Sequence, residues 1–338
     1  MLLINDIHVS KDNISEFHKN WDEALRICKE RDIQDIVIGG DLWQSRAAQT
    51  LNTLLAVRSA LMKAHLQGVC LTIASGNHDL VDQESLMGYN HVFSEYPDVF
   101  VVDDYVEMPF GDEDNVLWIM SYFPENGTFP IRLEELKAGL NSSERNFLYC
   151  HEGINGALST SSDKELSAQI FGGFEKVFVG HYHNRASLNN GQIEYIGSSR
   201  QHNFGEDAEK GYTILFSDGS TEFVKNQANT QFATIEVDVK HLKEAQEQIK
   251  ALSDKSVKVR LKVTGKSDEL NAIDRDALIE LGVTKIEVEA EETNSYSSSQ
   301  DFDSKYDKAG LKEEYSKFCL QKQIDNVEMG LQYLDKIS

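Results

Sequence analysis

Four cysteines in 338 residues, Cys28, Cys70, Cys150 and Cys319, stand far apart with no CxxC pair. That excludes a zinc ribbon and a small disulfide scaffold, and reduced thiols are expected. Cations are scarce: 33 Lys and Arg against 56 Asp and Glu give a formal charge of -23. So acidic a chain does not coat nucleic acid by bulk electrostatics, because phosphate binding needs clustered cations. A nuclease is still allowed, since bound divalent metals supply positive charge at the site itself. No stretch nears the ~18 apolar residues of a membrane span. The first apolar run ends at Asp6, before a secretory core of ~7 to 15 residues is built. The expectation is a soluble, cytoplasmic protein of a bacterium or its phage. There is no repeat at a solenoid period, and the only prolines are Pro97, Pro109, Pro124 and Pro130.

What is present is an ordinary globular composition, 40% hydrophobic and 26% charged, in a chain long enough for a large domain and a smaller one. Up to about residue 225, short β-rich runs alternate with helical patterns, which reads as α/β. Strands are expected at 2–4, 36–38, 69–73, 99–102, 116–120, 147–149, 177–179 and 193–196. Phe17, Trp21, Leu25 and Cys28 recur at helical spacing, as do Leu51, Leu54, Leu55 and Leu61 before a helix stop at Gly68. A second pattern follows: strand 235–239, helix 241–252, strand 257–263, helix 270–281 and strand 285–288. The expected divisions are therefore 1–229, a small α/β domain over 230–292, and 293–338, a Ser-rich linker with an amphipathic helical tail. Leu311, Tyr315, Phe318, Val327, Leu331 and Leu334 form the tail's apolar stripe.

Five short motifs follow expected strands: Asp6-Ile7-His8, Gly39-Gly40-Asp41, Gly76-Asn77-His78-Asp79, Cys150-His151-Glu152 and Gly180-His181-Tyr182-His183. Loops at strand carboxyl ends can converge while the sheet holds them rigid. Alternate residues of an extended segment share a side, so Asp6 with His8, and His181 with His183, can each direct two donors into one region. Glycines before Asp41, Asn77 and His181 permit sharp turns and close approach. Mixed oxygen and imidazole donors without thiolate suit manganese, iron, zinc or, less comfortably, magnesium. Two ions ~3.5 to 4 Å apart need a bridging oxygen, which a carboxylate such as Asp41 can supply.

In this order, D-x-H, G-D, G-N-H-D, H and G-H-x-H resemble the signature of the calcineurin-like metallophosphoesterases. The resemblance implies a β-sandwich flanked by helices, with Asp6, His8, Asp41 and His183 on one divalent metal and Asp41, Asn77, His151 and His181 on the other. It also implies that His78 steadies the phosphate and helps protonate the leaving oxygen. Within the superfamily the chain most resembles the SbcD-type recombination nucleases and the related T-even-like phage endonuclease subunits. The carriers are Tyr195-Ile196-Gly197-Ser198, Phe204-Gly205-Glu206 and Lys210-Gly211-Tyr212, then the small α/β segment in the place of a capping domain. This implies two ions, manganese foremost, a DNA substrate, a homodimer and an SMC-type ABC ATPase of the SbcC kind docking near the carboxyl terminus.

Other residues invite weaker assignments. Gln44, where the family often has His or Asp, can hydrogen-bond phosphate. Asp79 either orients His78 or caps a following helix. Arg185 and Arg200 either hold DNA or form ordinary salt bridges, and His202 is a candidate phosphate contact. His18, His65, His91 and His241 read as surface or satisfied residues. The rivals are a small-substrate phosphodiesterase or phosphoprotein phosphatase of the same fold, and a non-catalytic subunit. The second would show a missing ligand position, and none is missing.

Overall fold

Successive side chains of a strand point to opposite faces, and the central strands are apolar at consecutive positions, so each buries side chains on both faces. The structure is a computed structural model that describes residues 1–82, 85, 87–111, 114–123, 127–158, 165–253 and 257–290, and in the tail 312, 315–319, 327, 330, 331 and 334. Its strands begin β1 (Leu2–Ile4), β2 (Asp35–Gly39), β3 (Cys70–Ala74), β4 (Val99–Val102), β5 (Tyr105–Phe110), β6 (Asn115–Met120), β7 (Arg145–His151) and β8 (Lys176–Gly180). They continue β9 (Ala186–Leu188), β10 (Ile193–Tyr195), β11 (Gly211–Leu215), β12 (Thr221–Lys225), β13 (Phe232–Asp238), β14 (Lys258–Gly265) and β15 (Val283–Ala290). The helices are α1 (Ile14–Glu30), α2 (Leu51–Leu66), α3 (Thr128–Ala138), α4 (Leu242–Ser253), α5 (Ser267–Asn271) and α6 (Arg275–Glu280). None is long and apolar enough, among the described residues, to cross a membrane.

The chain divides into two compact units, Met1–Val263 with Ile273–Val288, and Thr264–Ala272 with Glu289–Ser338. In the first, two six-stranded sheets have the orders β12-β11-β1-β2-β3-β4 and β5-β6-β7-β8-β10-β9. Strands β1 to β4 are parallel, as are β6, β7, β8 and β10. Leu3, Val37 and Ala74 pack with Leu117, Phe147, Tyr149 and Phe178 between the sheets. On the other face of the first sheet, Leu2, Ile4, Ile36, Ile38, Leu71 and Ile73 pack with Phe17, Trp21, Val57 and Leu61 of α1 and α2. Leu148, Cys150, Val177 and Val179 pack with Phe129, Leu133 and Leu136 of α3. The result is a helix–sheet–sheet–helix sandwich. Each fully buried side chain of this size contributes about 1.5–3 kcal/mol.

The small sheet has the order β13-β14-β15, with Ala245 and Ile249 of α4 and Val259 and Leu261 of β14 buried. The expected helix over 270–281 is two short helices instead. Asp274 caps the second, its side chain accepting from Ala277 N at 3.0 Å, and a residue in that role takes an extended backbone. In the second unit the described tail residues are helical, and Gly330 lies so close to the Tyr315 ring that a Cβ there would overlap it. The Ser-rich stretch 293–300 and Leu311 lie outside the described residues.

Candidate metal centre

All five motifs lie at strand carboxyl ends of the sandwich, as parallel order demands: after β1, β2, β3, β7 and β8. Beyond β1 and β2 the ladder continues irregularly, with Asp6 N donating to Gly40 O at 3.1 Å, His8 N to Asp41 O at 3.0 Å and Val9 N to Leu42 O at 2.8 Å. The first two loops are therefore tied to each other. Asp6, His8 and Asp41 each have φ 51, and His181 has φ 94. Left-handed backbone at a non-glycine residue costs about 1–3 kcal/mol and persists only where surroundings over-determine it. Here it turns four side chains inward at the end of a strand. Gly40, at φ 113, could bear no side chain, since a Cβ would stand 2.5 Å from His151 Nδ1; at Gly180 the distance would be 2.6 Å.

The seven expected ligand residues converge. Asp41 Oδ2 lies 3.4 Å from His8 Nε2 and 3.4 Å from His151 Nε2. Asp6 Oδ1 lies 3.9 Å from Nε2 of each of His8, His151 and His183. His8 Nε2 and His183 Nε2 are 3.1 Å apart, and His181 Nδ1 is 3.1 Å from Asn77 Oδ1. Two donors on one tetrahedral ion with bonds of ~2.0–2.1 Å stand roughly 3.3 Å apart, so these spacings suit metal ligation. His151 supplies the test of fit. Its Nδ1 donates to Gly39 O at 3.1 Å, which leaves Nε2, fully buried and without a hydrogen-bond partner, facing both carboxylates. A buried imidazole nitrogen beside carboxylate oxygens is satisfied by a proton or by a metal ion between them, so the residues present fit a divalent ion.

The electrostatics agree. Burial pushes His8 down to about 3 and His181 down to about 4, so both rings are neutral donors at pH 7. Burial alone would raise Asp41, but the adjoining His151 and His8 hold it well below the usual carboxylate range. His151 itself is raised to about 10, burial being outweighed by Asp41, Asp6 and Asp79. Burial raises Asp6 even against His151 and His183. Three buried carboxylates thus favour positive charge at this imidazole, whether as a proton or as a bound metal ion.

The remaining assignments fare differently. His78 N donates to Asp41 Oδ1 at 2.8 Å, and its ring Nδ1 donates to the Gln44 carbonyl at 2.8 Å, which leaves Nε2 as the ring nitrogen not engaged by Gln44. Gln44 serves through its backbone. Asp79 neither orients His78 nor caps a helix: fully buried, it accepts from Gly76 N at 2.7 Å and Trp43 N at 3.0 Å, tying two of the converging loops together. Arg200 is buried, with its guanidinium on Ile7 O at 3.1 Å and His8 O at 3.2 Å. Arg185 pairs with Glu194, donates to Ile196 O at 2.6 Å and stacks on Phe223. Arg185 also lines the groove beside His181 and His183. His202 Nε2 donates to Asp6 O at 2.8 Å, and its ring lies 4.9 Å from that of His8. Burial, then the neighbouring Arg200, keeps His202 well below the ordinary histidine range. His65, His91 and His241 pair with Asp98, Asp103 and Glu244. Glu206, to which its F-G-E motif alone gives no role, accepts from His183 Nδ1 at 2.7 Å. Beside His181 and His183 an open groove of about 480 Å³ is lined by Leu158, Tyr182, Asn184 and Asn203.

No family model matches the chain. Over 210 residues it is 26% identical to the SbcD subunit of the nuclease SbcCD of Staphylococcus epidermidis, an alignment covering 53% of this chain and 54% of that one. The chain is similar to an SbcD nuclease subunit. It spans about half the length of this curated relative. Among solved structures, the nuclease MPE of Pseudomonas putida matches at 18% identity, covering 57% of this chain and 65% of that one, with a TM-score of 0.27. A dimetal phosphatase from Danio rerio matches at 13% identity, covering 57% and 84%, with a TM-score of 0.37.

Proposed function

We propose that the chain is a two-metal phosphodiesterase acting on DNA, the nuclease subunit of an SbcCD-like complex in recombination, repair or replication. The observation that carries the two-ion reading is the placement of Asp41 Oδ2, 3.4 Å from one imidazole nitrogen of each expected ligand set. In this reading Asp6, His8, Asp41 and His183 hold one divalent ion, and Asp41, Asn77, His151 and His181 hold the other. Manganese is the first candidate, with magnesium, iron and zinc as alternatives. When bound, the ions supply Lewis acidity to the phosphoryl oxygens and acidify the attacking water. The chain's own residues do the rest. Gly39 O fixes the tautomer of His151, and Glu206 that of His183. His78, held by Gln44 O, presents Nε2 to the phosphate and, from its imidazolium form, gives the Nε2 proton to the departing alkoxide, leaving the neutral ring with its Nδ1–H on Gln44 O. The groove beside His181 has room for a nucleotide of the bound strand.

The DNA substrate and the ATPase partner rest on the likeness to the SbcD subunit and on the motif order, as does the homodimer. At -23 the chain repels a long duplex, which suits a nuclease that relies on a partner to hold DNA. The segment 230–292 acts as the cap and 293–338 as the ATPase-docking tail.

The test is cleavage of end-labelled duplex and single-stranded DNA with Mn²⁺, beside a small phosphodiester, with EDTA and Asp41→Asn as controls. DNA cleavage that vanishes in both controls is expected. Intact DNA with rapid metal-dependent hydrolysis of the small ester would move the protein to small-substrate chemistry. Undiminished cleavage by Asp41→Asn would overturn the ligand assignment.

A further inference from the structure

The loop 201–206 touches the metal centre at one end and the small sheet at the other. Its Glu206 accepts from His183 Nδ1 at 2.7 Å, so that Nε2 of the same ring faces His8 and Asp6. The carboxylate is held in turn by His202 N at 3.0 Å, Asn203 Nδ2 at 2.8 Å and Lys210 Nζ at 3.4 Å. Lys210, fully buried, also donates to His183 O at 2.6 Å. Two residues before Glu206, the Phe204 ring stands edge-on to Phe232 of β13, centroids 5.0 Å apart, with the Arg260 guanidinium of β14 over it at 5.1 Å. Arg260 Nη2 reaches Phe204 O at 3.4 Å, and Phe232 N donates to Gln201 Oε1 at 3.1 Å. The loop is thus gripped from the small sheet by a cation–π contact, an aromatic pair and two hydrogen bonds.

We propose that Glu206 is a positioning residue for His183 and that Arg260 and Phe232 hold it there through Phe204, so the small sheet sets how tightly the centre binds one of its ions. This rests on the ligand assignment above. A carboxylate on the far nitrogen of a ligating imidazole fixes its tautomer and orientation, and losing it costs about 10- to 100-fold in metal affinity. Arg260 touches neither donor nor substrate, so any effect of its removal on ion binding must pass through the loop.

The experiment is calorimetric titration of the full chain with Mn²⁺ for wild type, Asp41→Asn, Glu206→Gln, Arg260→Ala and the Glu206→Gln/Arg260→Ala double variant. Melting in EDTA is followed in parallel. Glu206→Gln should weaken one of two sites by about 10- to 100-fold and leave the other. Arg260→Ala should weaken the same site by about two- to tenfold, and the double variant should fall short of the product of the two. Unchanged affinity in Glu206→Gln, or full multiplicativity in the double variant, would overturn the inference. If Arg260→Ala unfolds before titration, Arg260→Lys, which keeps the charge and loses the planar stack, replaces it under the same criteria. Wild type without tight sites, or Asp41→Asn titrating like wild type, would instead refute the ligand assignment itself.

Discussion

In the proposed mechanism His78 acts on the substrate and not as an ion ligand, although its ring lies close to His8 and Asp41, and its backbone N–H contact with Asp41 survives substitution. Its ring is oriented by Gln44 O. His78→Gln should retain two Mn²⁺ per chain by calorimetry yet lose about 10²- to 10⁴-fold in kcat on a diester with an alkoxide leaving group. With p-nitrophenolate, which departs without a proton, the loss should be much smaller. Equal losses on both substrates would show that His78 is not the acid. At this scale what was legible was convergence: the seven side chains of the five strand-end motifs come together, as loops at the carboxyl ends of parallel strands can. The sequence was illegible where use depends on neighbours. Arg200 looks like a phosphate grip, but its donors go to the carbonyls of Ile7 and His8. Asp79 satisfies two buried backbone N–H groups from different loops, which no local spacing reveals. Glu206 stands 23 residues from His183, a pairing set by the fold alone.

The elements most readable from sequence were the buried parallel strands, because Leu2, Leu3 and Ile4, or Val177, Phe178 and Val179, are apolar on both faces. The antiparallel strands β5, β9 and β12 carry polar or half-exposed residues and give no such signal. Helix α3 was hidden by Pro130, which falls in its first turn, where a missing N–H costs nothing. Strand ends are also where the site is least tolerant. At Gly180, closing β8, a Cβ would stand 2.6 Å from His151 Nδ1 and 3.2 Å from Asn5 Cγ, both held by buried partners. Gly180→Ala should therefore destabilise the fold by about 1–3 kcal/mol in urea unfolding. It should also lower Mn²⁺ affinity, because the displaced ring is one of the proposed ligands. Wild-type affinity in a stably folded Gly180→Ala protein would remove His151 from the centre.

For the molecule as a whole, two electrostatic effects of a divalent ion have to be told apart. A chain at -23 is stabilised by any cation that screens its self-repulsion. A chain that binds ions only when folded gains RT ln(1 + [L]/Kd), about 2.7 kcal/mol per site at a hundredfold excess over Kd. The second effect requires the converged donors, since unfolding scatters Asp6, Asp41, His151 and His181 along the sequence. Mn²⁺ should therefore raise the melting temperature of wild type by several degrees over EDTA, while KCl at matched ionic strength should give only the smaller rise that screening supplies. Asp41→Asn removes one of 56 acidic side chains and none of the 33 Lys and Arg, so its screening response is essentially that of wild type. Its ion-specific shift should nevertheless largely disappear, because the carboxylate that lies between the two proposed ligand sets is lost. Equal shifts in the two proteins, or an equal shift with KCl, would assign the stabilisation to screening and remove the energetic case for a built centre.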